Sequence, residues 1–233
     1  MKNSKILACS LVLLGCVTSL AWADDSGPQN TVRLGYYFVF FNSSSTPITG
    51  PFVPATPALD LTAKNVQTPY VAYIRRLSTH WDAELAFGVP PKTETLGKGP
   101  ATVGSVPYNG VVLGSARWVA PTVLIEYKFF QEDSPIRPYV GVGVNYTAFE
   151  GRQSSAGGDA VGGGPTSIDQ TASVGPAGTV GLKYSFAPNW SVIASANYAL
   201  VRSDITLTTA GVDRTTRVTF DPFAAIVAVG YSF

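Results

Sequence analysis

The sequence predicts an all-β protein, an eight-stranded antiparallel up-and-down transmembrane β-barrel, and three observations carry that prediction. The last residues alternate: Phe223, Ala225, Val227, Val229, Tyr231 and Phe233 share one face, and smaller residues share the other. A greasy outer face, a small or polar inner face and a terminal aromatic suit a strand in lipid. Next, turn residues divide the chain beyond its leader into eight alternating stretches, near 30–43, 64–78, 80–92, 112–130, 136–150, 171–187, 189–207 and 214–233. Each can supply the ~9–11 residues that a tilted strand needs to cross a bilayer. Finally, 45% of residues are hydrophobic and 12% aromatic, but only 13% are charged, where a soluble domain carries about 25%. No long apolar run past the leader predicts a membrane helix. A soluble β-sandwich is the competing architecture, and the low charge and abundant glycine count against it.

In chain order, the N-terminus comes first. Lys2 and Lys5 precede an apolar stretch from Ile6 to Leu20, and Ala21-Trp22-Ala23 is a small-x-small cleavage site. Residues 1–23 therefore read as a cleaved signal peptide and 24–233 as a single barrel domain in a Gram-negative outer membrane. Cleavage removes two of the 16 basic residues and leaves 14 against 15 acidic ones. That balance offers no basic patch for nucleic acid. Both cysteines, Cys9 and Cys16, lie in the leader, so the mature chain has no disulfide and no thiolate metal site. Leu13-Leu14-Gly15-Cys16 is similar to a lipoprotein cleavage box, which leaves lipidation of Cys16 as a second processing route.

The connections alternate as the strands do. Ser78-Thr79-His80, Glu132-Asp133-Ser134-Pro135 and Ala187-Pro188-Asn189 are tight turns. Those near 44–63, 93–111, 151–170 and 208–213 are mostly longer and rich in Gly, Pro, Ser and Thr. Short periplasmic turns and longer external loops are the asymmetry of an outer-membrane barrel. Trp81, Phe129, Phe186, Trp190 and Phe233 flank the short turns or the terminus and mark a periplasmic aromatic girdle. The glycines at 157–158 and 162–164 predict a mobile third loop, with room for a short ordered piece.

Four stretches resemble the OmpW family of outer-membrane proteins, which includes AlkL-like hydrophobe-uptake barrels. They are Ala120-Pro121-Thr122-Val123-Leu124, the run from Arg137-Pro138-Tyr139 through Asn145-Tyr146-Thr147, the strand around Gly178 to Tyr184, and Asp221-Pro222-Phe223 leading to Gly230-Tyr231-Ser232-Phe233. With their spacing they span the chain after the leader. The resemblance implies an eight-stranded barrel linked to passage of small hydrophobic molecules across the outer membrane. It names no solute and covers none of the external loops. The terminal Phe233 resembles the signature by which the outer-membrane assembly machinery recognises such barrels.

If Trp81, Phe129, Phe186 and Phe233 face lipid, alternation turns Arg33, Asp82, Glu84, Glu126, Lys128 and Lys183 inward. A Lys or Arg facing mid-bilayer lipid costs about 2–4 kcal/mol, and charges inside are tolerable only when paired. Glu84 and Glu126 with Arg33, Lys128 and Lys183 thus form a candidate charge network flooring the lumen. The plainer reading is a polar barrel core with no further role. An eight-stranded barrel is just wide enough inside for side chains or one small ligand. With the floor closed, an apolar solute must leave sideways into membrane lipid.

A candidate exit follows from proline, which has no N–H to give a ladder. Pairing Trp81 with Phe129 sets Pro90 and Pro91 opposite Ala120 and Pro121, a weakened seam between the third and fourth strands. Alternatively, these prolines only end the regular strand. Phe52, Val53 and Leu59 in the Pro-rich first loop form either a greasy funnel above the lumen or a sticky surface for a partner. Chemistry is poorly provided for. The single histidine, His80, sits in a short turn beside Trp81, no metal cluster is visible, and Gly141-Val142-Gly143 supplies small inward residues on a strand rather than a phosphate loop. The expected function is passive uptake of small hydrophobic molecules, with no enzyme activity, catalytic residue, metal or cofactor. The alternative is a structural or adhesive barrel whose loops bind a partner.

Overall fold

The structure is a computed structural model that describes residues 27–54, 56–103 and 106–233. The expected signal peptide and the expected lipidation site at Cys16 lie outside the described residues. Eight strands close on themselves: β1 Asn30–Phe41, β2 Val66–Arg76, β3 Trp81–Gly88, β4 Thr122–Lys128, β5 Ile136–Ser154, β6 Ser173–Ala187, β7 Trp190–Ala199 and β8 Pro222–Ser232. Every neighbour is antiparallel, and β1 closes the ring on β8 from Thr31 opposite Ser232 to Phe41 opposite Pro222.

Alternation decides which side chain goes where. On β8, Phe223, Val227, Val229 and Tyr231 are exposed, while Ile226, Ala228 and Gly230 are buried. Val142 and Val144 on β5 point out between inward Gly141, Gly143 and Asn145. An unbroken belt of exposed Val, Leu, Ile, Phe and Tyr around a closed ring is stable in a bilayer and costly in water. The sandwich alternative is thereby removed. Trp81, Phe129, Phe186, Trp190 and Phe233 are all exposed at the short-turn end.

The external connections hold more order than their composition suggested. Seven strands break at one level and resume beyond it, at Ser44–Ser45, Asp60–Ala63, Lys92–Lys98, Val112–Val119, Thr166–Gln170, Arg202–Thr209 and Val212–Thr219. Only β5 passes through unbroken, with a bulge between Glu150 and Gln153. The stretches expected to run uninterrupted over 112–130, 189–207 and 214–233 are therefore interrupted at Ala120-Pro121, Leu200-Val201 and Phe220-Asp221. The outer pieces form two sheets, one of Asp60–Ala63, Lys92–Lys98, Val112–Val119 and the end of β5, the other of Ser44–Ser45 with Val212–Thr219, Arg202–Thr209 and Thr166–Gln170. Between them lies an apolar cluster that includes Leu61, Tyr108, Trp118, Phe149, Ile205 and Phe220.

The third connection contains a short helix, α1 (Ala156–Gly162), capped by Ser155, whose hydroxyl accepts from the Gly158 N–H at 3.0 Å. Gly163 ends it at φ 85°, a left-handed conformation that glycine adopts without steric cost. The segment near 208–213 is a tight turn at Ala210-Gly211, not a loop.

Candidate functional site

From the short-turn end outward, the lumen has three storeys. The lowest is filled by charge. Arg33 on β1 makes an ion pair with Glu84 on β3 and reaches Glu126 on β4 at 3.3 Å. The Tyr70 hydroxyl donates to the other Glu84 oxygen at 3.0 Å, and Arg33 lies 5.4 Å from the centre of the Tyr139 ring. These side chains are almost wholly buried, Arg33 at 4% and Glu126 at 1% exposure. Room for them comes from glycine. A Cβ at Gly141 would sit 3.2 Å from Glu126 Cγ, and one at Gly181 would strike the Tyr139 ring.

The grouping differs from the expected one. Lys128 pairs with Asp82 at 2.6 Å, not with Glu84 or Glu126. Both lie nearer the short turns, because Asp82 precedes Glu84 and Lys128 follows Glu126 by one inward step. Arg137, not singled out from sequence, joins this lowest layer: it donates to the backbone carbonyls of Thr79, Phe129 and Phe130. Lys183 stands opposite Arg137 on the neighbouring strand, half-buried, and forms no ion pair with Glu84 or Glu126, the acids of the predicted network. The charges thus form two sets: Arg33, Glu84 and Glu126 with the two tyrosines, and Asp82 with Lys128.

Above the charges is a cavity of about 120 Å³ lined by Tyr37, Thr68, Leu124, Asn145, Thr147 and Asn197 among others. Its wall also includes Gly88, Pro91, Ala120 and Thr122, the seam between β3 and β4. There the ladder ends at Ala86 opposite Thr122 and resumes at Lys92 opposite Arg117. The free edges turn to other neighbours: the Val89 N–H goes to the Pro69 carbonyl at 3.1 Å, and the Pro121 carbonyl accepts from the Tyr146 N–H at 3.0 Å. The register corrects one expectation. Trp81 faces Tyr127, not Phe129, so Pro90 and Pro91 do not sit opposite Ala120 and Pro121. Pro91 instead accepts from the Trp118 N–H at 3.1 Å. The prolines therefore bracket the gap diagonally, Pro90 and Pro91 at its outer end and Pro121 nearer its inner end.

A partition of four rings closes the second storey. Trp118 packs against Phe41 and Phe220, each with centroids 4.7 Å away, and edge-on to Phe149 at 4.8 Å. Phe41 and Trp118 form part of the lining of the lower cavity, and none of the four rings lines the larger one. Trp118 meets Phe149 and Phe220 edge to face, one of the two favoured aromatic arrangements, and Phe41 at a tilt.

Beyond the partition a larger cavity of about 520 Å³ fills the space between the two outer sheets. It is lined by Ile48, Leu61, Leu113, Val161, Ile205 and Leu207 among others, and by the predicted funnel residues Phe52, Val53 and Leu59. Leu59 is buried, Val53 is partly covered, and Phe52 stands 89% exposed at φ 61°. Tyr108 donates to the Asp60 carbonyl at 3.0 Å. Burial and the nearby Asp60 carboxylate push its phenol well above the usual tyrosine range, so it stays protonated. His80 sits at the opposite end, its Nδ1 2.9 Å from the Lys128 carbonyl and its ring stacked on Tyr127. Among the described residues no group of His, Cys, Asp and Glu could hold a metal ion.

A closed eight-stranded barrel with this lumen now meets the decisive comparison: residues 31–233 match the model of the OmpW family. The chain belongs to the OmpW family. Among similar proteins is the dibenzothiophene metabolism operon protein PahQ of Pseudomonas aeruginosa, 29% identical, with 97% of each chain covered. Outer membrane protein W of Vibrio cholerae is 31% identical over 52% of this chain and 55% of its own. The crystal structure of the outer membrane protein OprG from Pseudomonas aeruginosa superposes with a TM-score of 0.78 at 22% identity, covering 89% of this chain and 96% of that one. Outer membrane protein W and OprG are outer-membrane proteins, and this chain shares the closed barrel fold and the outer membrane with them.

Proposed function

We propose that this barrel carries small hydrophobic compounds passively from the external cavity, past the aromatic partition, into the small cavity and out sideways into the membrane between β3 and β4. The single observation that carries this reading is the stacking of two mostly apolar cavities over a charge-filled lower lumen, with the inner one walled by an interrupted ladder. That inner cavity also holds a few hydrogen-bonded Thr and Asn side chains. Arg33, Glu84, Glu126, Lys128 and Lys183 would serve as the floor, Pro90, Pro91 and Pro121 as the exit seam, and Phe52, Val53 and Leu59 as the funnel. Water and polar solutes meet buried charge below and apolar walls above. An apolar solute gains by staying out of water throughout, at roughly 25 cal/mol per Å² of apolar surface. The name of PahQ, which refers to dibenzothiophene metabolism, fits an apolar solute class.

Uptake of naphthalene and of a sugar by cells with and without the protein is the direct test. Replacing Pro90 and Pro91 with Thr and Val should let the ladder zip through the gap and cut naphthalene uptake severalfold, with the barrel still folded and the sugar excluded. Unchanged uptake in that folded variant would remove the seam from the path. The exposed Phe52 favours a second reading, a loop surface for a partner. Deleting residues 46–58 separates the two, since a funnel loses uptake and an adhesive surface loses only partner attachment.

A further inference from the structure

Among the described residues, the larger cavity carries one charged side chain in its lining, Arg214. It lies on the outer piece Val212–Thr219, opposite Leu207, which lines the same space. Its guanidinium is held by neutral acceptors from three external segments. Nε donates to the Pro51 carbonyl at 3.2 Å, and Nη1 donates to the Gly162 carbonyl at 3.3 Å and the Thr209 hydroxyl at 3.4 Å. Gly50 packs on its stem, since a Cβ there would lie 3.2 Å from Arg214 Cγ. The side chain is thus fixed in place by groups that leave its charge uncompensated.

The acids close to it are already engaged. Asp159 accepts from the Thr166 N–H at 3.0 Å, and Asp213 accepts from the Thr208 hydroxyl at 2.6 Å. Other cations of the outer sheets differ in setting. Arg217, Lys64 and Arg152 have carboxylate partners, whereas Lys92, Lys98, Arg117 and Arg202 are exposed and solvated by water. Arg214 is half-buried beside an apolar space and has no carboxylate within ion-pair distance among the described residues. A guanidinium has five N–H donors in a planar fork, and none of the three hydrogen bonds of Arg214 uses Nη2. That geometry suits a carboxylate better than any neutral group.

We infer that the external cavity takes amphiphiles with a carboxylate head and a compact apolar body, the head on Arg214 and the body among Leu61, Leu113, Ile205 and Leu207. The inference rests on the proposed reading that this cavity receives apolar solutes, and narrows it to apolar acids as a preferred class. A volume of about 520 Å³ falls within the ~300–1,000 Å³ usual for small-molecule sites.

The test is calorimetric titration of the full barrel in lipid nanodiscs with three probes of one ring system: 2-naphthoate, naphthalene and 2-naphthylmethylammonium. Wild-type protein should bind naphthoate roughly tenfold more tightly than naphthalene, as a charge-assisted hydrogen bond implies, and the ammonium compound more weakly than both. Arg214→Gln should erase the advantage of naphthoate and leave naphthalene unchanged, and Arg214→Lys should restore part of it. Equal affinity of wild type for naphthoate and naphthalene would overturn the head-group site while keeping the apolar cavity. Failure of wild type to bind any probe would overturn both. If Arg214→Gln loosens the loops and loses naphthalene as well, the charge series on wild type alone still decides.

Discussion

At the scale of single residues, the floor turns on Arg33. Its guanidinium stands between two buried carboxylates, and one oxygen of Glu126 has no hydrogen-bond partner. Burying an ion pair repays its desolvation poorly, but removing one member leaves a charge with no compensation. Arg33→Leu is expected to destabilise the barrel by about 3–5 kcal/mol, read from urea unfolding in lipid vesicles. The triple variant Arg33→Leu, Glu84→Leu, Glu126→Leu should regain most of that loss. Equal destabilisation by the single and triple variants would show that the residues act through packing, not charge. Alternation made the inward placement of all these residues legible in the sequence. It could not choose partners, because that depends on how far each strand slides past its neighbour. A shift of two positions at Trp81, which faces Tyr127 rather than Phe129, is enough to change what stands across the seam.

At the scale of elements, the outer halves of the strands were hidden for a physical reason. Their sequences, such as Arg202–Thr209 and Val212–Thr219, alternate charged and polar residues outward with an inward face that mixes Ile205, Leu207, Val212 and Val218 with hydroxyls and Arg214. In lipid such a pattern is excluded, but above the membrane the outer face meets water, so Thr-rich, charged stretches read as loops by composition while pairing as strands. The partition was hidden too, since Phe41, Trp118, Phe149 and Phe220 are far apart in sequence and meet only when the breaks align. Trp118→Ala should merge the two cavities and speed naphthalene uptake. It should also cost about 3–5 kcal/mol of stability through the space it leaves. Uptake and thermal unfolding measured on the same preparation check both. A destabilised barrel with unchanged uptake would take the partition out of the solute path.

At the scale of the whole molecule, the backbone and the ring of Phe233 can be tested separately. The backbone of Phe233 helps close the ring, its N–H donating to the Asn30 carbonyl at 2.8 Å and its carbonyl accepting from the Asn30 N–H at 3.1 Å. Its ring is exposed beside Tyr231, in the girdle, and adds little to the packed interior. Phe233→Ala keeps both backbone bonds and removes only the ring. If the ring is read by the outer-membrane assembly machinery, the variant should refold in detergent as wild type does and yet accumulate several-fold less in cells. Heat-dependent gel mobility of the refolded protein and quantification in isolated outer membranes supply the two readings. Equal loss in both would assign the ring to closure of the barrel, because a defect intrinsic to the fold does not depend on the cell. Normal levels in both would leave closure to the backbone and recognition to the rest of β8, whose Phe223, Val227, Val229 and Tyr231 present the same outward face.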